Sequence, residues 1–471
     1  MTGAALLILL INGGALLYFV VLNAVYVVTT LVALVSLRRY AAGLKAVDVT
    51  DVLTLGGAPP VTIVAPAYNE EATCVESVRS LLTLEYADYE VLVVNDGSRD
   101  GTLARLVEAF DLVPAPRAPT ADIPTRPVRQ AYRSRSHPAL WVLDKENGGK
   151  ADALNAGLDH VRTPLFCAID ADSLLERDAL ARIVRPFLQD DTTVAAGGII
   201  RIANGCTVRA GVVTDVGLPA SFLARIQVVE YLRSFLGGRV GWDGLRATLI
   251  ISGAFGMFKR APVIEAGGYD TTTVGEDMEL VVRLHRRCRE LGRPCRITFV
   301  PDPVAWTECP ESLRVLGRQR ERWHRGLAEV LWRHRRMLGN PRYGRIGLVA
   351  MPYFVFLELL GPIVELLGYG VFVAAVVTGR LDHRWAVAFL LLAFALGLAL
   401  SLAAISLEEL TFRRYPKLRH LFALMGVAVA EAVGYHQLSA WWRFRGLLAA
   451  LRRKHGWGEM TRKGFATAAP R

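Results

Sequence analysis

The stretch FCAIDADSLL, residues 166–175, ends an apolar run on two aspartates separated by a single alanine. Phe166 to Ile169 reads as a buried strand. Side chains alternate along an extended chain, so Asp170 and Asp172 leave it on the same side. Two adjacent carboxylates repel, and something must compensate. Such a pair suits a hard divalent cation, Mg or Mn, which takes oxygen ligands and shares its remaining positions with phosphate. The plainer reading is helix capping. Ser173 and Glu176, however, already have the spacing of a capping box for a following helix, so neither aspartate is needed for that task.

Four further stretches carry chemistry-bearing residues. VVNDGSRDGT (93–102) places Asp96 at the end of another apolar run, where an Asx-turn is the alternative reading. KENGGKADALN (145–155) joins a glycine pair to Lys150 at an expected helix start. Backbone amides and a lysine there make an anion site. The spacing is not that of a Walker motif, and a surface turn would look the same. VGEDMEL (274–280) holds Glu276 and Asp277, either acids favoured at a helix N-terminus or a general base. QRERWHRG (319–326) puts Gln319, Arg322 and Trp323 on one helix face. Tryptophan stacks on sugar rings and arginine grips phosphate, whereas an arginine-rich helix can also lie on acidic lipid.

These residues need a frame. VTIVAP (61–66), VLVVND (91–96), LWVLD (140–144) and LFCAID (165–170) are short apolar runs, each followed by polar residues and a helix-like stretch. Repeated strand-then-helix units predict a parallel α/β sheet, and such sheets bind ligands at the carboxyl ends of their strands. Asn69 and Glu70, Asp96, Lys145 to Lys150, and the 170/172 aspartates all fall at such ends. Residues 112–138, rich in proline and arginine, read as a mobile surface insertion. No internal repeats are visible.

The chain has 471 residues, is 52% hydrophobic and carries a net charge of +11. That combination fits a membrane protein with basic cytoplasmic surfaces. No zinc, RNP or helix-turn-helix signature accompanies the basic charge, so a nucleic-acid partner is not expected. The six cysteines show no metal spacing and read as free thiols in a reducing compartment. Residues 5–37 contain no charge, longer than the roughly 20 residues that cross a bilayer, and read as a retained anchor. Arg38, Arg39 and Lys45 then place the N-terminus outside and the following chain in the cytoplasm. Residues 346–378 and 386–407 are spanning candidates, while 421–440 is expected to lie at the interface or to re-enter. Glu358 and Glu365, seven apart, either bond within the helix bundle or line a polar path. The expected division is an anchor (1–40), a cytoplasmic domain (41–340), membrane and interfacial helices (341–443) and a basic cytoplasmic tail (444–471).

Taken in order, PAYNEE (66–71), NDGSRDGT (95–102), DAD (170–172), GED (275–277) and QRERW (319–323) resemble the motifs of family 2 glycosyltransferases. The likeness is greatest to the membrane-embedded processive synthases of cellulose, chitin, hyaluronan and poly-N-acetylglucosamine. It covers roughly residues 60–330 and the flanking membrane helices. The resemblance implies a GT-A (Rossmann-like) α/β cytoplasmic domain with flanking transmembrane helices, in a multi-pass protein of the inner membrane. It implies a UDP-sugar donor, with Asp96 at the uracil or ribose and Ala67, Tyr68 and Glu70 as the wall. Lys150 and Arg322 would approach the diphosphate. Asp170 and Asp172 would hold uridine and the divalent cation, with Asp172 the direct ligand. Asp277 would be the base, and Trp323, beside Gln319, would stack on the acceptor. An inverting transfer from an α-linked donor gives a β-linkage. The implied product is a polysaccharide, extended and exported; the rival readings are addition of one sugar to a membrane lipid and, more remotely, a non-catalytic scaffold. Gly275 departs from the threonine usual in cellulose synthases. No PilZ-like domain follows the membrane region, so control by cyclic di-GMP is not expected. The tail HGWGEMTRKGF (455–465) loosely resembles a loop of hyaluronan and chitin synthases, which would bring Trp457 near the active site.

Overall fold

A computed structural model describes residues 3–46, 57–379, 383–415, 417–431 and 434–452. Residues 453–471, including Trp457, lie outside the described residues. The chain forms two compact units, and neither is contiguous in sequence. One comprises the described parts of Arg38–Ala220 and Thr248–Cys309; the other takes those of Met1–Leu37, Ser221–Ala247 and Pro310–Gly458. Residues 221–247 and 310–340, expected within the cytoplasmic domain, thus group with the apolar helices.

The first unit is built on strands β1 (Val61–Ala67), β2 (Tyr89–Asn95), β3 (Leu112–Pro114), β4 (Val128–Ser134), β5 (Leu140–Lys145), β6 (Leu165–Ile169), β7 (Ser173–Leu175), β8 (Thr193–Ile202), β9 (Thr207–Arg209), β10 (Val212–Asp215), β11 (Phe255–Lys259) and β12 (Arg296–Thr307). The main sheet runs β3-β4-β5-β2-β1-β6-β11-β8-β12-β7, and β9 and β10 form a separate hairpin. Its centre, β5-β2-β1-β6, is parallel, as the four apolar runs predict. Register pairs Ala67 with Asn95 and Asn95 with Asp144, so these strands finish level and their following loops open along one edge. The Lys150–His160 helix packs on this sheet so closely that a Cβ at Gly157 would lie 2.3 Å from Val64 Cγ1. Only glycine permits that approach.

Two expectations are corrected. Residues 173–175 do not start a helix: they are β7, paired antiparallel with Ala305–Thr307 of β12, and the next helix begins at Ala179. A tertiary strand partner overrides the local capping pattern. The 112–138 segment, in turn, contains β3 and β4, which extend the sheet beyond β5. The remainder is fastened down. Arg117 bonds Glu90 at 3.0 and 2.7 Å and His160 O at 2.8 Å, and its guanidinium lies 4.8 Å from the Trp141 ring centroid. Thr120 Oγ1 and the Asp122 amide donate to Asp159 at 3.1 and 2.8 Å.

The second unit contains helices long and apolar enough to cross a membrane. Three are present among the described residues: Gly13–Gly43, Ile346–Val377 and Leu390–Thr411; Leu418–Glu431 and Tyr435–Leu451 would add a fourth if they form one bent span. Acids among these helices have partners. Glu358 accepts from Tyr353 at 2.6 Å and from Arg443 at 3.1 Å, so it takes the role within the bundle. Glu431 pairs with Arg233 at 2.7 Å, and Glu365 lies 3.5 Å from His436.

None of the six cysteines is in a disulfide. In the α/β unit His285 is buried, its Nε2 2.8 Å from Thr248 O. Burial, reinforced by Arg289, pushes its pKa down to about 3. The unfolded chain therefore takes up a proton below pH ~6.5 that the folded chain refuses. Stability is full above that pH and falls as pH drops toward 3, by about 1.4 kcal/mol per unit. Melting temperatures of purified protein between pH 7.5 and 5 should show this slope, and His285→Gln should flatten it. An identical slope in the variant would remove His285 as its source.

Candidate active site

The acids at the carboxyl ends of β2 and β6 are balanced by two lysines. Lys145, fully buried at the end of β5, lies 2.6 Å from Asp96 and 2.6 Å from Asp152. Asp96 is 2% exposed. It also accepts from the Gly148 and Gly149 amides at 3.0 and 2.8 Å and from the Asn147 amide group at 3.2 Å. Asp96 thus organises the glycine loop 145–150, a charge-assisted network with both carboxylate oxygens engaged. Gly149, at φ +88°, lets the loop turn into the Lys150–His160 helix.

Lys150, the first residue of that helix, reaches back to β6. Its ammonium lies 2.5 Å from Asp170 and 3.4 Å from Glu276. Burial works against the charge, but Asp170 and Glu276 outweigh it and hold the lysine pKa above its ordinary value. The compensation sought for the paired aspartates is therefore, at Asp170, a lysine. Asp172 is almost fully buried beyond it, at 2% exposure.

Asp277 enters the same place from the Glu276–Glu290 helix. Its Oδ2 accepts from the Gly253 amide at 3.0 Å. A Cβ at Gly253 would lie 2.8 Å from Lys150 Nζ and 3.4 Å from Asp277 Oδ2, so the backbone here comes close to both charges. Lys150, Ser252, Gly253, Tyr269, Glu276 and Asp277 line a small cavity. Burial, then Glu276 and Asp277, push the Tyr269 hydroxyl pKa well up, so it stays protonated. Asp277 Oδ1 accepts from the Met278 amide at 2.7 Å, and a carboxylate so fixed beside an ammonium can accept a proton while an anionic group is stabilised nearby.

The remaining expected residues are placed as follows. Ala67 closes β1 and is buried, while Tyr68 is 45% exposed. Glu70 accepts from Thr73 Oγ1 at 2.7 Å, and its amide donates to Thr102 Oγ1 at 2.9 Å. Asn69, at φ 55°, bonds Ser98 and Arg99, joining this loop to the one after Asp96. Gln319, Arg322 and Trp323 lie on the Leu313–Arg333 helix of the other unit. Among the described residues, no three His, Cys, Asp or Glu side chains converge into a metal cage. The sequence reading missed Asp152, Gly253 and Tyr269 and the role of Lys145. Lys145, ending an apolar run, was the one visible signal.

The profile of a family described as glycosyltransferase like family 2 matches residues 59–326. A poly-β-1,6-N-acetyl-D-glucosamine synthase of Staphylococcus aureus is 30% identical over 275 residues, covering 58% of this chain and 56% of the relative. Its Staphylococcus epidermidis counterpart is 28% identical over 274 residues, with the same coverage. The chain thus spans little more than half the length of these relatives. A mannosyltransferase from Pyrobaculum calidifontis, solved in complex with GDP-Man and Mn2+, superposes with a TM-score of 0.52 at 21% identity. That superposition covers 88% of this chain and 99% of the mannosyltransferase, and it bears out the GT-A fold. Because the family match takes in every strand end that carries the site and continues through QRERW, the chain belongs to glycosyltransferase family 2.

Proposed function

We propose that the protein is a membrane-embedded, inverting β-glycosyltransferase that extends a polysaccharide, with UDP-N-acetylglucosamine as donor. The observation that carries this is the cavity in which Asp277, fixed by the Gly253 amide, adjoins Lys150, whose ammonium also holds Asp170 just after β6. The sugar follows from the likeness to the staphylococcal synthases over these same residues. The three apolar helices support a membrane protein. We place the catalytic unit on the cytoplasmic side of the inner membrane, following Arg38 and Arg39 near the C-terminal end of the first apolar helix.

In this reading Asp277 takes the proton of an acceptor hydroxyl. The acceptor oxygen attacks C1 of the sugar on the face opposite the diphosphate, the bond from C1 to the phosphate oxygen breaks, and UDP leaves. An α-linked donor so becomes a β-linked product. Lys150 counters the charge that grows on the leaving diphosphate. The loop ordered by Asp96, with Ala67, Tyr68 and Glu70 beside it, receives the nucleotide; direct contact of Asp96 with it requires exchange of one present donor. Asp170 and Asp172 form a two-carboxylate set, one buried and one partly open. That suits Mg or Mn, which is commonly held by one or two carboxylates plus substrate phosphates. Bound there, the cation would add Lewis-acid stabilisation of the diphosphate. Arg322 is assigned to the diphosphate, and Trp323 and Gln319 to the acceptor. Gln319 Oε1 is buried with no hydrogen-bond partner among the described residues, which suits a sugar hydroxyl.

Product sizing from purified protein offered UDP-N-acetylglucosamine with Mg or Mn tests the proposal. A β-linked polymer is expected. A single sugar on lipid would replace it with the lipid-acceptor reading. Asp277→Asn should lower transfer by about 100- to 10,000-fold while retaining UDP affinity, because the base acts on the acceptor. Near-normal turnover would remove Asp277 from the role. Asp172→Ala should abolish the gain in UDP affinity on adding Mg or Mn. UDP binding by wild type that ignores the cation would overturn the metal assignment.

A further inference from the structure

The Leu313–Arg333 helix carries a second arginine that no step above uses. Arg320 is 7% exposed, and a cation so buried must be paired. Its Nη2 lies 2.6 Å from Glu230 Oε2, on the Phe222–Leu232 helix. Tyr435 donates to the same Glu230 oxygen at 3.0 Å. Three helices therefore meet at one carboxylate. The guanidinium so held lies 4.5 Å from the centroid of the Trp323 ring, while Trp323 itself is 43% exposed.

The packing around this point is tight. Tyr435 begins the Tyr435–Leu451 helix, which runs against the motif helix at close range. A Cβ at Gly446 would lie 2.4 Å from Glu321 O, and one at Gly317 would lie 2.6 Å from Trp442 Nε1. Arg445 pairs with Glu321 at 3.3 Å. The helix bearing Gln319 and Trp323 is thus braced by direct backbone approach.

The geometry points to Arg320 as a positioning residue for the acceptor: locked by Glu230 and Tyr435, it covers one face of Trp323 and fixes the ring with the opposite face open to the terminal sugar. This rests on the assignment of Trp323 to the acceptor and deepens it. A sugar stacks through its C–H face and needs an open, stationary ring. A tryptophan free to rotate would lose that freedom on each binding event, and a ring already fixed avoids this cost. The buried Gln319 oxygen, one helical turn away, supplies a hydroxyl acceptor on the same helix face. An extending chain must rebind its end after every addition, so the benefit recurs at each step.

The test measures transfer from UDP-N-acetylglucosamine to a soluble N-acetylglucosamine oligosaccharide, and hydrolysis of the donor to water, for full-length protein in detergent. Arg320→Gln and Glu230→Gln should each raise the acceptor KM about threefold to tenfold, with the donor KM within twofold of wild type. The ratio of transfer to hydrolysis at low acceptor should fall by a similar factor. Arg320→Lys, which keeps the charge near Glu230 but loses the flat group over the ring, should recover only part of the loss. Trp323→Ala is the reference and should raise the acceptor KM at least as far. If Trp323→Ala does so and both Arg320→Gln and Glu230→Gln do not, the positioning role is wrong and the acceptor assignment stands. An unchanged acceptor KM in Trp323→Ala rejects the assignment and the positioning role together. If Arg320→Gln lowers transfer and hydrolysis in parallel, Arg320 only holds the helices together and the inference fails.

Discussion

The α/β unit depends on neutralising carboxylates gathered at the carboxyl ends of parallel strands. Asp96, Asp152, Asp170 and Glu276 are charged groups in or beside a buried sheet, and burial of unpaired charge is prohibitive. Lys145 and Lys150 resolve this at opposite ends of one glycine loop. Breaking the fully buried Lys145–Asp96 pair by removing one partner typically costs about 3–5 kcal/mol, whereas the Lys150–Asp170 pair is partly open to solvent. The loop between the lysines is therefore fixed as a consequence of charge balance, and the amides of Gly148 and Gly149 are spent on Asp96. The same balance leaves one ammonium, that of Lys150, at the wall of a cavity shared with Asp277. An anion can be met there and a proton accepted within one small volume.

The other unit solves a comparable problem by different means. Four of its acids sit among apolar helices with a basic side chain beside them: Glu230 with Arg320, Glu358 with Arg443, Glu431 with Arg233 and Glu365 near His436. Polar groups in such helices are tolerated when they face one another. These pairs join segments far apart in sequence. They explain how residues 221–247 and 310–340 come to fold with the apolar helices although their composition reads as soluble.

The motif residues were legible because each ends an apolar run or opens a helix. DAD, NDG, KENGGK and GED fall where a parallel sheet must present its loops, and four strands could be read from their apolar character. The partnerships were not legible. The link from Lys145 to Asp96 and Asp152, that from Lys150 to Asp170, and the amide of Gly253 on Asp277 join segments with no local pattern between them. A repulsion at Asp170 was evident from the sequence, but a lysine meeting it could be found only in three dimensions. Ser173 shows the converse error: a sound capping pattern lost to pairing with β12. In the 112–138 segment, proline and arginine concealed β3 and β4, and Arg117 between them serves the sheet through Glu90 and the Trp141 ring.

The central claim is that Lys150, raised and held by the surrounding acids, is the fixed positive charge of a nucleotide-diphosphate site. Calorimetric titration of UDP into the purified wild type and Lys150→Met, in the same detergent with Mg present, tests this most directly. The account predicts at least about a tenfold loss of affinity, as for removal of a charged hydrogen bond, with Lys150→Arg recovering part of it. An affinity for UDP unchanged in Lys150→Met, in protein that melts at the wild-type temperature, would contradict it.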